Sequence, residues 1–198
     1  MQLLGENFFG RETVEVARDL LGHFLCRESA EGLVSGIIVE TEAYLSNNDP
    51  ACHAARGKTS RNAVMFGLPG MAYVYFIYGN HYCFNVVTGQ EGVGEAVLVR
   101  SVEPVDGLPL IVARRGQAVS KTNLTNGPGK LCQAFDVDSS FNGHDLREKP
   151  LYLGLNKTVS QYRPVKTTTR IGLSVAQDKP LRYVVTGNAY LSRREYLG

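Results

Sequence analysis

The chain has 198 residues, 43% of them hydrophobic and 20% charged, enough for one compact domain whose core covers roughly 70% of its unfolded surface. Its 21 Lys+Arg stand against 19 Asp+Glu, which excludes a disordered polyelectrolyte or a histone-like tail. No apolar run approaches the roughly 18 residues that span a bilayer, and the opening MQLLGENFFGRE has neither a basic flank nor a cleavage site, so a soluble, intracellular protein with no membrane partner is expected.

The net charge of +2 hides an asymmetry. Residues 1–99 carry 6 basic and 11 acidic side chains, a balance of −5, whereas residues 100–198 carry 15 and 8, a balance of +7. Such a basic half permits a polyanionic partner without demanding one. Cys26, Cys52, Cys83 and Cys132 form no CxxC pair and read as buried thiols, so no metal site is expected.

In chain order, Val14, Ala17, Leu20 and Leu21 recur at helical spacing, with Gly22 as a stop. Phe24 to Arg27 and Leu33 to Tyr44, joined by the turn-like Ser29 to Gly32, predict an antiparallel pair. Ala72 to Tyr78 and His81 to Thr88 predict a hairpin closed by the two residues Gly79-Asn80 in a type II′ or I′ turn. Further strands are expected at Ala96 to Ser101, Pro150 to Leu153, Thr168 to Leu173 and Leu181 to Val185. Short helices are expected at Ser60 to Phe66, Leu108 to Arg115 and Lys130 to Phe135. With no repeat and no long linker, the pattern predicts residues 1–198 as one α+β domain. Its sheet is curved, mainly antiparallel and open-barrel-like, with flanking short helices.

Within GIIVETEAY the period of two puts Glu40, Glu42 and Tyr44 on one strand face. Adjacent acids there mean a solvated face or a polar site, because burying an unpaired carboxylate costs several kcal/mol. The apolar flanks favour a sheet end near the core, where a carboxylate acts as a base. Arg100 ends the run AVLVR and is placed to pair with Glu42. His53, in the loop NDPACH, reaches over the end of that strand.

Thr59-Ser60-Arg61-Asn62 resembles a helix start whose N–H groups, with Arg61 and Asn62, suit a backbone phosphate, although ordinary capping explains it equally. Asn126-Gly127-Pro128-Gly129-Lys130 is not a Walker loop, yet its turn and Lys130 suit one DNA phosphate. Six of the 18 Phe and Tyr residues fall between Tyr73 and Phe84. Most of the six read as cross-strand packing, but Tyr78 beside the turn suits a wedge between bases, and Tyr44 and Tyr75 suit a sandwich around an unstacked base.

The segments VETEAY, YVYFIYGNHYCFNVV, AVLVRSVEP and NGPGKLCQA, in this order, resemble the alkyladenine (3-methyladenine) DNA glycosylase family from about Phe8 to Ser192. The resemblance implies a hydrolase that flips damaged purines out of double-stranded DNA and cleaves the N-glycosidic bond without metal or cofactor. By the same resemblance, Glu42 is the general base, Arg100 its water-binding companion, and Leu191 the donor of a backbone carbonyl to the water site. Tyr44, Tyr75 and His53 line the base pocket, Asn85 crowds the amino group of undamaged guanine, and Tyr78 fills the vacated stack. The hairpin tip Asn80-His81 is more polar than in some members. A non-catalytic nucleic-acid binding module on the same fold is the alternative, and a strand-nicking enzyme using Lys130 as an amine nucleophile is a third reading. A monomer is expected, since no apolar interface stripe is evident.

Overall fold

The structure, a computed structural model, describes residues 1–77 and 79–193. Among the described residues eight strands join in one sheet: β1 (Phe24–Ser29), β2 (Gly32–Tyr44), β3 (Ala72–Ile77), β4 (His81–Thr88), β5 (Glu95–Asp106), β6 (Leu151–Gly154), β7 (Val165–Thr168) and β8 (Arg182–Val185). Their order is β3-β4-β5-β2-β1-β6, with β8 pairing both β2 and β7, and every pairing is antiparallel. The sheet curls into a half-barrel, as the predicted α+β class requires.

The 13-residue β2 is the spine of that curl. Its first half pairs with β1, while Glu40, Thr41 and Glu42 pair with β8 on the same edge. Three register shifts break its pairing with β5, one between Ser35 and Gly36 and two that compensate each other around Glu40. Ile38 faces Val102 and Glu40 faces Ser101, so Val39 is extra; Thr41 then faces Val99, so Arg100 is extra on the other strand. An extra residue bends a strand and re-aims its side chain. The consequence is local: Arg100 turns toward Glu40 and Glu42.

Four short helices cover the sheet: α1 (Glu6–Phe9), α2 (Thr13–Asp19), α3 (Leu108–Arg115) and α4 (Pro128–Phe135). Helix α2 buries Val16 and Ala17, and its Ala17 carbonyl accepts a 2.7 Å hydrogen bond from Thr41 Oγ1 on β2. That contact lies on the second face of β2, which is buried on both faces from Val34 to Ala43. Helix α4 packs on β4 and β5 and buries Leu131, Cys132, Ala134 and Phe135. Pro128 sits in its first turn, where a missing N–H costs nothing. All four cysteines are buried free thiols, and among the described residues no helix is long and apolar enough to cross a membrane.

Three local expectations need correction. Ile77 pairs with His81, so the paired strand ends are separated by three residues rather than the two predicted, with Gly79 at φ +73°. The helix predicted at Ser60 is only a 3-10 turn, Ala63–Phe66, because Asn62 folds its side chain back onto Thr59. The strand predicted at Thr168 to Leu173 ends at Thr168, since Arg170 and Ile171 turn away from the ladder to bind Asp49 and Glu42.

Gly107 joins β5 to α3 at φ +73°, where a Cβ would run into the carbonyl oxygen of Leu33. Gly107→Ala is therefore expected to lose about 1–3 kcal/mol of stability. Denaturant unfolding with an unchanged midpoint would contradict this account of the turn.

Candidate active site

Glu42, on β2, is fully buried. Its Oε1 accepts a 2.8 Å hydrogen bond from the Ile171 backbone N–H, and its Oε2 accepts one of 2.9 Å from the Tyr44 hydroxyl. Arg100 Nη1 lies 3.3 Å from Oε2. A carboxylate offers about four acceptor directions, so these three partners leave one for an incoming donor. Burial, together with the Glu42 carboxylate, pushes the Tyr44 phenol above its ordinary pKa, which keeps it a donor.

Arg100 is shared. Its Nε donates to Glu40 Oε1 at 2.9 Å while Nη1 faces Glu42. Burial opposes its charge, but the two carboxylates outweigh burial and raise its pKa. Glu40 is also fully buried, and there Arg100, Arg182 and Ser192 outweigh the desolvation that would raise its pKa, so the carboxyl stays ionised below the usual range. Unlike the single pair predicted, the site is a chain of buried charges.

The rings lie beside this chain. His53 and Tyr75 meet edge-on with centroids 4.6 Å apart, and His53 Nδ1 is 2.8 Å from the Tyr73 hydroxyl. Burial, and then the charge of Arg61, lowers the His53 pKa, so the imidazole is neutral at pH 7. Burial pushes the Tyr73 phenol up to about 12. Asn85 on β4 is buried and donates to the Tyr73 carbonyl at 3.0 Å. Tyr44, His53, Tyr73, Tyr75 and Asn85 enclose a cavity of about 20 Å³, room for one water. Tyr44 and Tyr75 also border a wider cavity of about 240 Å³ that reaches Arg100 and Ile171.

A ring-lined cleft with a buried acid behind its wall narrows the chemistry, and comparison with known proteins decides the class. Residues 7–189 match the model of the family described as Methylpurine-DNA glycosylase (MPG). The chain belongs to the methylpurine-DNA glycosylase family. It is 50% identical over 193 residues to a relative from Carboxydothermus hydrogenoformans, covering 97% of this chain and 100% of the relative. It is 51% identical over 189 residues to one from Methanoculleus marisnigri, covering 94% and 97%. Both relatives carry the name "Putative 3-methyladenine DNA glycosylase". The protein is thus a DNA glycosylase, a hydrolase whose substrate is DNA.

Of the predicted residues in this glycosylase, Arg100, Tyr44, Tyr75, His53 and Asn85 line the two cavities, and Glu42 lies behind them, bonded to Tyr44 and paired with Arg100. Leu191 is buried beside Ser192, whose N–H is held by Glu40. Arg61 is exposed, donates to the Phe76 carbonyl at 3.2 Å, and sits 5.8 Å from the Tyr75 ring centroid. Asn62, expected against a phosphate, is buried instead, and its amide donates to the His53 and Gly57 carbonyls. Its role is to shape the loop that carries His53. Lys130 Nζ donates to Asn126 Oδ1 at 2.8 Å at the start of α4. Tyr78 lies outside the described residues.

Sequence reasoning missed four residues that hold the walls of this cleft and its buried acids in place. Tyr73, read as packing, orients His53. Asp49 and Arg170 form a fully buried bidentate pair with both bonds at 2.6 Å, and the Arg170 guanidinium lies 4.7 Å from the Tyr44 ring centroid. Arg182, one residue into β8, donates to Glu40 at 2.7 Å. The one signal available was an arginine on an otherwise apolar strand, Leu181 to Val185.

Burial alone would raise the Asp49 pKa, but the Arg170 hydrogen bonds outweigh it, and the carboxyl is held below its ordinary value. The stability this pair contributes is therefore present above about pH 4 and is lost as the pH falls toward the folded-state value. Asp49→Asn is expected to destabilise the fold by about 3–5 kcal/mol by leaving Arg170 unpaired and to flatten the acid limb of thermal unfolding. A variant as acid-sensitive as the parent would show that another carboxylate governs that limb.

Proposed function

We propose that this glycosylase excises alkylated or deaminated purines, of the 3-methyladenine, hypoxanthine and ethenoadenine class, from duplex DNA and so initiates base excision repair. The carrying observation is the Glu42 carboxylate, buried directly behind Tyr44, Arg100 and Ile171 of the ring-lined cleft, with one acceptor direction left by its three partners and Arg100 at 3.3 Å. In this reading Glu42 takes a proton from a water held with Arg100 and the Leu191 carbonyl. The water oxygen bonds to C1′ as the glycosidic bond breaks and the purine leaves with its electrons. The anion of Glu42 also stabilises the oxocarbenium-like sugar.

The reaction requires the base to leave the stack. A flipped purine would pass through the wider cavity and part Tyr44 from Tyr75 and His53, with stacking worth about 1–3 kcal/mol per base. In this reading the Tyr73 hydroxyl, which keeps its proton, donates to His53 Nδ1 and leaves the imidazole proton on Nε2 to be offered to the purine. An N3- or N7-alkylated purine departs as a cation and needs little acid catalysis, whereas hypoxanthine must gain a proton. Asn85 is held rigid by its bond to Tyr73, which suits it to reject the amino group of guanine by crowding. Tyr78 is proposed to fill the vacated stack, and Arg61 and Lys130 to meet DNA phosphates. A monomer acting inside the cell, where the DNA is, completes the reading.

Glu42→Gln preserves shape and removes the charge. It is expected to lower single-turnover excision of hypoxanthine by about 10²- to 10⁴-fold while leaving lesion-DNA affinity intact. Excision at the parental rate would remove Glu42 from the mechanism.

A further inference from the structure

Beside the proposed base stands a second acid with no assigned task. Five donors converge on Glu40: Arg100 Nε at 2.9 Å, Arg182 Nε at 2.7 Å, Ser101 Oγ at 3.1 Å, Ser192 N at 2.6 Å and Ser192 Oγ at 2.7 Å. These fill the acceptor capacity of a carboxylate, so Glu40 has none left for a water or a substrate proton. What it does instead is join β2, β5, β8 and the segment at 191–192.

Two geometric consequences follow from that junction. With Nε fixed on Glu40, the planar guanidinium of Arg100 has its Nη1 directed at Glu42 and cannot rotate to form a two-bond fork with it. The second concerns the peptide between Leu191 and Ser192. In a trans peptide the C=O and N–H point opposite ways, so binding the Ser192 N–H to Glu40 also fixes the direction of the Leu191 carbonyl. Arg100 and Leu191 are the two groups that the proposed reaction places around its water, and one carboxylate orients both.

We propose that Glu40 is the positioning residue of the water site: it sets Arg100 and the Leu191 carbonyl relative to Glu42, and holds Arg100 back from fully pairing with the base. This rests on the hydrolytic reading of Glu42 above. The other charged or titratable groups facing Glu42 are Tyr44 on β2, Tyr75 on β3, Cys83 on β4 and Arg170 from the segment after β7. Glu40→Gln leaves all of them in place while letting Arg100 swing onto Glu42. Closer pairing occupies the acceptor direction that the water needs and makes a weaker base.

The test is single-turnover excision of hypoxanthine from duplex DNA, with the whole chain. Glu40→Gln is expected to be about 10- to 100-fold slower, the scale of a misplaced reacting group, with lesion-DNA affinity retained. A purely structural role would lower rate and affinity together. Ser192→Ala removes a half-buried hydroxyl from both Glu40 and Arg100 and decides the matter if Glu40→Gln does not fold; it is expected to slow excision several-fold at unchanged affinity. Parental rates overturn the proposal, as does a rate loss accompanied by an equal loss of affinity. Glu42→Gln run in parallel separates the failures. If it is inactive while both other variants behave like the parent, only the positioning role falls; if it excises normally, the hydrolytic reading falls and takes this one with it.

Discussion

A single guanidinium between two buried carboxylates governs the architecture of this site. Glu40 and Glu42 lie two residues apart on the central strand, both out of water. Either one alone would cost several kcal/mol to bury as an ion. Arg100 reaches both because a bulge makes it the unpaired residue of β5. The second arginine on Glu40, from β8, ties in a strand that pairs with β2 only beside these acids. The charges are thus satisfied only when three strands and the segment at 191–192 are assembled, and the polar centre forms with the half-barrel.

The aromatic wall is built on the same logic. Tyr44 is gripped on both sides of its function, with its hydroxyl on Glu42 and its ring face against an Arg170 that Asp49 holds bidentately. The following residue, Ile171, gives its N–H to Glu42. One short segment therefore fixes both the stacking ring and the acid, so neither can shift alone. Opposite it, His53 is steadied by Tyr73 and by a loop that Asn62 closes from inside. Rigid walls suit a pocket that stacks many bases at similar strength and so must discriminate by shape and by polar groups left unpaired.

Much of this was legible in the chain. The alternation in GIIVETEAY put Glu40, Glu42 and Tyr44 together, and the apolar run before Arg100 placed it on a neighbouring strand. The crowd of aromatics around Gly79-Asn80 announced the hairpin. Helix α3 runs Leu108–Arg115, the span the pattern gave. The misses share a cause. The segment at Thr168 to Leu173 has strand-forming residues, but a buried carboxylate elsewhere in the sequence competes for its backbone, and local propensity carries no information about that. Asn62 sits in a sequence equally suited to capping a helix or greeting a phosphate, and only its distant partners at His53 and Gly57 decide against both.

The sequence by itself determined the strand period, the hairpin, the placement of two acids and a phenol on one face, and the family motifs, because each is a pattern of neighbours along the chain. Tertiary structure alone decided which acid keeps an open acceptor and which is saturated. Glu40 and Glu42 are near-twins in sequence, flanked by similar residues and one strand turn apart. Their difference arises from donors 60 to 152 residues away, Arg100, Arg182 and Ser192 for one and Ile171 for the other. Hydrogen bonds act over about 3 Å of space, and only folding brings such distant residues within that range.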